Sequence, residues 1–100
     1  MERHPTLYIL ANVPHGTLVF GVTGDLVGAL LLHRLGLVPG GTARYHIDRL
    51  VYFERVGDFA AGLRREKQLR ASCRASMLGL IERFNPDWRD LFGDVVAQRV

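Results

Sequence analysis

Apolar and polar positions change rhythm as the chain proceeds. Thr6–Ala11 alternates and is rich in β-formers, which predicts a first strand. Thr17–Thr23 is nearly continuous in apolar residues, the pattern expected of a strand at the buried centre of a sheet. Asn12 to Gly16 separates the two, and Pro14 and Gly16 mark it as a hairpin loop. Gly21 lies inside the second run. With no side chain to pack, it predicts a bulge or a close approach to the backbone. From Asp25 the period becomes helical: Leu26, Leu30 and His33 fall on one face, Asp25 offers an N-cap, and Gly36 a stop.

Gly36 to Ala43 is dense in breakers and reads as a loop that delivers Arg44, Tyr45 and His46. Leu50–Glu54 predicts a third strand, with Tyr52 and Phe53 on opposite faces. Asp58 is placed to cap a second helix running from Phe59 to about Arg70, with Phe59, Leu63 and Leu69 as its apolar stripe. A break at Ser72 or Cys73 precedes a third helix, Arg74 to Arg83, with Met77, Leu78 and Ile81 facing inward. Asn85-Pro86 ends it, because proline pushes the preceding residue out of helical geometry. Trp88, Leu91 and Phe92 are then expected to fold back as a hydrophobic lid. Three strands early and helices late predict a small α+β domain, one sheet flanked by helices.

Composition narrows the class. The chain has 100 residues, which suits one domain over 1–100, and its 48% apolar and 23% charged residues are those of a globular protein. No run approaches the roughly 18 apolar residues of a membrane span, so no membrane association is expected. The N-terminal stretch lacks the basic-then-apolar order of a secretory signal. Cys73 is the only cysteine, which excludes an internal disulfide framework and a Cys-rich zinc site, and it is expected to be a small packing residue. These features point to the bacterial cytoplasm. The net charge is +3, but Arg64 to Arg83 holds six bases against two acids. Arg64, Arg65, Lys67, Arg70 and Arg74 form a basic stripe that suits phosphates, though a solvated helix face gives the same pattern.

Several segments together resemble a known family. LYIL (Leu7–Leu10), GTLVFGVTGDL (Gly16–Leu26), His33, GLVPGGTARY (Gly36–Tyr45), RLVYFE (Arg49–Glu54), REKQLR (Arg65–Arg70) and LIERFNPDWRDL (Leu80–Leu91) occur in the order and spacing of a GIY-YIG nuclease domain. The likeness is to the small single-domain bacterial type, similar to the nuclease module of the excision-repair endonuclease subunit. It implies a three-stranded antiparallel sheet flanked by helices, and metal-dependent cleavage of DNA phosphodiester bonds in a repair setting. It further implies Mg2+ or Mn2+, with no small-molecule cofactor. Carried over by motif, it makes Tyr8, His33, Tyr45, Glu66 and Asn85 candidate catalytic residues and Glu66 the metal ligand. Gly21 matches the glycine that closes the second half-motif. DNA would meet Arg44, Arg64, Arg65, Lys67, Arg70 and Arg74.

Departures from the pattern bear on activity. The second half-motif reads Val19-Phe20-Gly21, so the tyrosine expected to position or activate water is Val19, and the expected phosphate-binding arginine is Ala29. Ser72 stands where relatives of this type carry tryptophan. Losing one electrostatic contact to a reacting phosphate costs about 10²–10³ in rate, so the resemblance implies a weak or impaired enzyme. A non-catalytic nucleic-acid-binding module and a protein-interaction module on the same fold are the alternatives. Individual residues also have plainer roles. Glu66 precedes Arg70 by four residues, the spacing of a helical ion pair worth about 0.3–0.5 kcal/mol. His33 at a helix end is favoured as a cation by the helix dipole. Tyr8 and Tyr52 are plausible core aromatics, and Asn85 a helix stop.

Overall fold

The computed structural model describes residues 5–37 and 46–98. Its elements run β1 (Thr6–Ala11), β2 (Leu18–Thr23), α1 (Leu26–Arg34), β3 (Arg49–Arg55), α2 (Phe59–Ala71), α3 (Arg74–Phe84) and α4 (Phe92–Gln98). This is an α+β fold with a three-stranded antiparallel sheet in the order β2-β1-β3. None of the helices is long and apolar enough to cross a membrane, among the described residues.

The central strand is β1, and all six of its residues are buried. β2, whose apolar run predicted the centre, is an edge strand of intermediate burial. The reason is topological: β1 pairs with both other strands, so its two faces are covered wherever helices lie on the sheet. On one face Leu7, Ile9 and Ala11 meet Leu69 of α2 and Met77 and Ile81 of α3. On the other, Tyr8 and Leu10 meet Leu30 of α1 and Val95 of α4.

The capping chemistry acts as the sequence suggests. Asp25 Oδ1 accepts from Gly28 N at 3.2 Å, and Asp58 Oδ1 from Ala61 N at 2.7 Å, so α1 and α2 each begin on an aspartate. Gly36, at φ 72°, follows α1 in the left-handed geometry that suits glycine. The hairpin loop folds around Asn12, whose Oδ1 accepts from Val13 N and Thr17 N. Tyr52 and Phe53 do point to opposite faces, and Leu26, Leu30 and His33 do share one.

Of the expected α2 stripe only Leu69 lies on the buried face. Phe59 and Leu63 are 50% and 56% exposed, whereas Gly62 and Leu69 are buried. A Cβ at Gly62 would lie 2.8 Å from a Val22 methyl and 3.0 Å from one of Val56. The helix therefore approaches the edge of the sheet through a glycine, and Phe59 and Leu63 are turned away. Cys73, expected to pack, is exposed at the N-cap of α3, because the break between α2 and α3 leaves it at a corner.

The segment after α3 closes the open edge of β3. A register shift opposite Ile9/Leu10 makes β3 irregular at Val51. Asn85 Nδ2 donates to Val51 O at 3.2 Å, Leu91 N donates to Leu50 O at 2.8 Å, and Leu50 N donates to Asp90 Oδ1 at 3.2 Å. Trp88 joins the α2/α3 side of the core and Leu91 the α1/α4 side, so the chain wraps around the strand edge. It is more than a lid, since Trp88 and Leu91 are core residues and Phe92 opens a fourth helix. Covering the edge this way removes a template for pairing with another chain. Arg34 pairs with Asp90 and stacks over the Phe92 ring, 4.3 Å from its centroid, tying α1 to the strap. Burial pushes the Asp90 carboxyl up, but the Arg34 guanidinium and the N–H groups of Phe92 and Leu50 outweigh it and hold it below the ordinary range.

Asn85 is fully spent in this strap, since its amide also donates to Arg89 O at 2.8 Å and accepts from Arg89 N at 3.1 Å. Asn85→Ala should therefore destabilise the fold by about 3 kcal/mol, the net of three lost bonds and the carbonyls left behind. Urea denaturation checks this, and a loss under about 1 kcal/mol would contradict it.

Candidate functional site

Register fixes the first contact of the site. Tyr8 of β1 lies opposite Gly21 of β2. Its ring crosses that glycine so closely that a Cβ at position 21 would stand 2.3 Å from Cζ and 2.4 Å from Oη. No other residue type leaves room for the ring. The tight approach expected at Gly21 is thus made by Tyr8, and no bulge occurs between these strands.

Crossing Gly21 carries the Tyr8 hydroxyl to His33. Oη lies 3.3 Å from His33 Nε2, the rings meeting edge to face with centroids 6.0 Å apart. His33 reaches this point because Leu30 and His33 sit on the inward face of α1. It is only 7% exposed, and Nδ1 has no hydrogen-bond partner among the described residues. Burial lowers the His33 pKa, against an opposing pull from the Asp48 carboxylate. The cationic form expected from the helix dipole is therefore not the favoured one, because desolvation of a buried charge exceeds the dipole's contribution. Burial raises the Tyr8 pKa, and the charge of Glu66 raises it further. The pair is a neutral phenol beside a neutral imidazole near neutral pH.

Glu66 enters from α2. Its side chain is 16% exposed, and Arg70 Nη2 donates to Oε1 at 2.9 Å, so the plain helical ion pair forms. Its charge is felt at the same hydroxyl, where it adds to the rise in the Tyr8 pKa. No group of three or more His, Cys, Asp or Glu side chains converges anywhere among the described residues. A half-buried single carboxylate still fits a Mg2+ ion that keeps several waters and takes substrate oxygens, provided Arg70 gives way.

Val19 and Ala29 both pack against the core cluster that holds Tyr8, on the same face of the sheet. The two departures from the family pattern thus fall beside the Tyr8–His33 pair. Asn85 does not join it, since its amide holds the β3 edge. Arg44 and Tyr45 lie outside the described residues.

The basic stripe is largely engaged within the fold. Arg65 Nε donates to Glu54 Oε1 at 2.8 Å and Nη1 to Gln68 Oε1 at 3.1 Å. Arg74 Nη2 donates to the carbonyls of His15 and Gly16 at 2.7 and 2.8 Å, and Arg70 is held by Glu66. Arg64 and Lys67 are exposed and make no ion pair with a described residue. Charge counting along the chain treats all five alike. The partner of Arg70 lies on its own helix, whereas Glu54 of β3 and the hairpin-loop carbonyls are brought to Arg65 and Arg74 only by folding.

Comparison with protein-family models, with curated proteins and with solved structures finds no match to this chain.

Gly21→Ala should cost about 1–3 kcal/mol of stability, the usual cost of overpacking, and should break the Tyr8–His33 contact. In a Tyr8→Leu background most of that cost should vanish, because the obstructing ring is gone. A double-mutant cycle by thermal denaturation measures the coupling. Additive effects would place the clash elsewhere.

Proposed function

We propose that this chain is a GIY-YIG-type endonuclease, acting weakly and with metal dependence on DNA phosphodiester bonds. The observation that supports the reading best is the Tyr8–His33 pair held across Gly21, with the charge of Glu66 felt at the same hydroxyl. Two chemically useful groups, brought from β1 and α1, meet although 25 residues of sequence separate His33 from Tyr8.

Phosphodiester hydrolysis needs a water oriented for attack and a means of taking its proton. A phenol with a raised pKa does not serve as a phenolate, so Tyr8 acts as a neutral hydroxyl. It accepts a hydrogen bond from water while donating its own proton toward Nε2 of neutral His33. The burial that lowers the His33 pKa keeps Nε2 an acceptor at neutral pH. Glu66 is the residue that would hold Mg2+ or Mn2+. When bound, the ion supplies Lewis-acid stabilisation of phosphate charge. Val19 brings no hydroxyl and Ala29 no cation to this face, so orientation of water and neutralisation of the phosphate both fall short. Low activity follows from those two side chains. A bacterial cytoplasmic setting and a repair role accord with this reading.

Nicking of supercoiled plasmid tests it. Tyr8→Phe and Glu66→Ala should each lower the Mg2+-dependent rate by about 10²-fold, to the level of buffer alone. Val19→Tyr with Ala29→Arg should raise the rate at least tenfold. If the parent nicks no faster than Glu66→Ala and the restored variant gains nothing, the catalytic reading falls. DNA binding that weakens steeply with salt would then favour the non-catalytic module.

The pH profile makes a separate prediction. Activity needs His33 uncharged, and its folded pKa lies below the ordinary 6.5. The rate should stay level as pH drops to 6.5 and fall only below it. A loss already complete at 6.5 would show that the imidazole is not the shielded group described.

A further inference from the structure

A second concavity lies away from the Tyr8–His33 pair, where the β1–β2 hairpin meets the junction of α2 and α3. It is an open cleft of about 660 Å³, within the range of ligand sites. Leu18, Leu69 and Met77 contribute apolar lining, and Phe20 adds an aromatic ring. Among the described residues, the only charged side chains that line it are Arg70 and Arg74. Each spends Nη2 alone on its described partners, leaving Nη1 and Nε of both guanidinium groups without one. The Arg70 guanidinium carbon stands 5.8 Å from the centroid of the Phe20 ring. No side chain caps α3, so the positive end of its dipole adds to the field at the Arg74 corner.

Two cations with spare donors, an aromatic ring beside one of them and an apolar floor match a ligand with an anionic group and a flat π-face. We propose that this cleft holds one unpaired nucleotide of a DNA strand, its phosphate between Arg70 and Arg74 and its base against Phe20. The choice of DNA rests on the nuclease reading above; the chemistry of phosphate plus base rests on the cleft. Aromatic stacking with a cationic groove is how proteins hold single strands without reading sequence. A paired base is stacked within its duplex and has no free face to offer, so the cleft favours overhangs, flaps or gaps over continuous duplex.

Fluorescence anisotropy in EDTA tests this without any reading of cleavage, so a chain with no nuclease activity still answers. The probes are a labelled blunt duplex and the same duplex with a single-stranded thymidine overhang. The parent should bind the overhang at least tenfold more tightly. Ser72→Trp, which places an indole at the cleft wall, should abolish that preference and leave blunt-duplex affinity unchanged. Thr17→Glu, an exposed substitution that sets a negative charge at the rim, should abolish it too, and Thr17→Gln should retain it. Circular dichroism verifies that each variant is folded, and the Thr17 pair keeps the question open to test if Ser72→Trp is not. Equal affinity for the two probes, or a preference untouched by both cleft variants, overturns the proposal. Displacement of the overhang by thymidine 5′-monophosphate at equal concentration overturns the assignment to a strand.

Discussion

Complete burial of β1 is the constraint on which the structure depends. A strand whose six residues all lie out of water has no polar face to turn toward solvent, so both sides of the sheet must be covered. α2 and α3 cover one and α1 and α4 the other. Three strands cannot supply an edge-free sheet, and the burial of β1 therefore leaves β2 and β3 as edges. The β3 edge is closed by the Asn85–Leu91 strap, with side-chain amide, carboxylate and backbone bonds at the irregular part of the strand. The strap also carries Trp88 to one side of the core and Leu91 to the other, joining the two clusters around the sheet.

The candidate site follows from the same strand. Because β1 is central, Tyr8 projects from the middle of the molecule and must cross a neighbouring strand to approach His33 of α1. Gly21 is the gap that permits this. Burial, which the fold imposes for packing reasons, also sets the chemistry: it holds the phenol protonated and the imidazole neutral, a pair suited to passing a proton rather than storing charge. Val19 and Ala29 fill space on that face with methyl groups. Both pack against the cluster that holds Tyr8, so apolar residues at these positions serve the scaffold whatever the chemistry of the face.

Much of the fold was legible along the chain, and the misses have physical causes. Aspartate caps, the helix stop at Gly36 and the turn around Asn12 depend on contacts within a few residues, so reading them needs no knowledge of the fold. The central position of β1 does need it: an apolar run reports that a strand can be buried, while pairing decides which strand is. The stripe of α2 failed because periodicity weighs Phe59 and Leu63 above glycine, yet close helix–sheet approach favours the residue with no side chain. α4 has only seven residues, too short to declare itself by period, and docks through Val95 onto a surface assembled from elsewhere. For the candidate site, Tyr8, Gly21, His33 and Glu66 were singled out by motif, and folding brings the first three together. That Asn85 belongs to the strap could not be read from a motif, since its partners lie on β3 34 residues earlier and on the turn that follows it.

By itself the sequence determined the local grammar: where three strands and the first three helices lie to within a residue or two, and which side chains could bear chemistry. Such properties arise from side-chain type and near-neighbour geometry, which the order of residues specifies directly. Tertiary structure alone decided which strand is central, which face of α2 is buried, how Arg74 and the Glu54 side of Arg65 are engaged, and that the Tyr8 ring passes over Gly21 to His33. Those outcomes depend on long-range pairing, where burial and packing choose among local options that are otherwise equivalent.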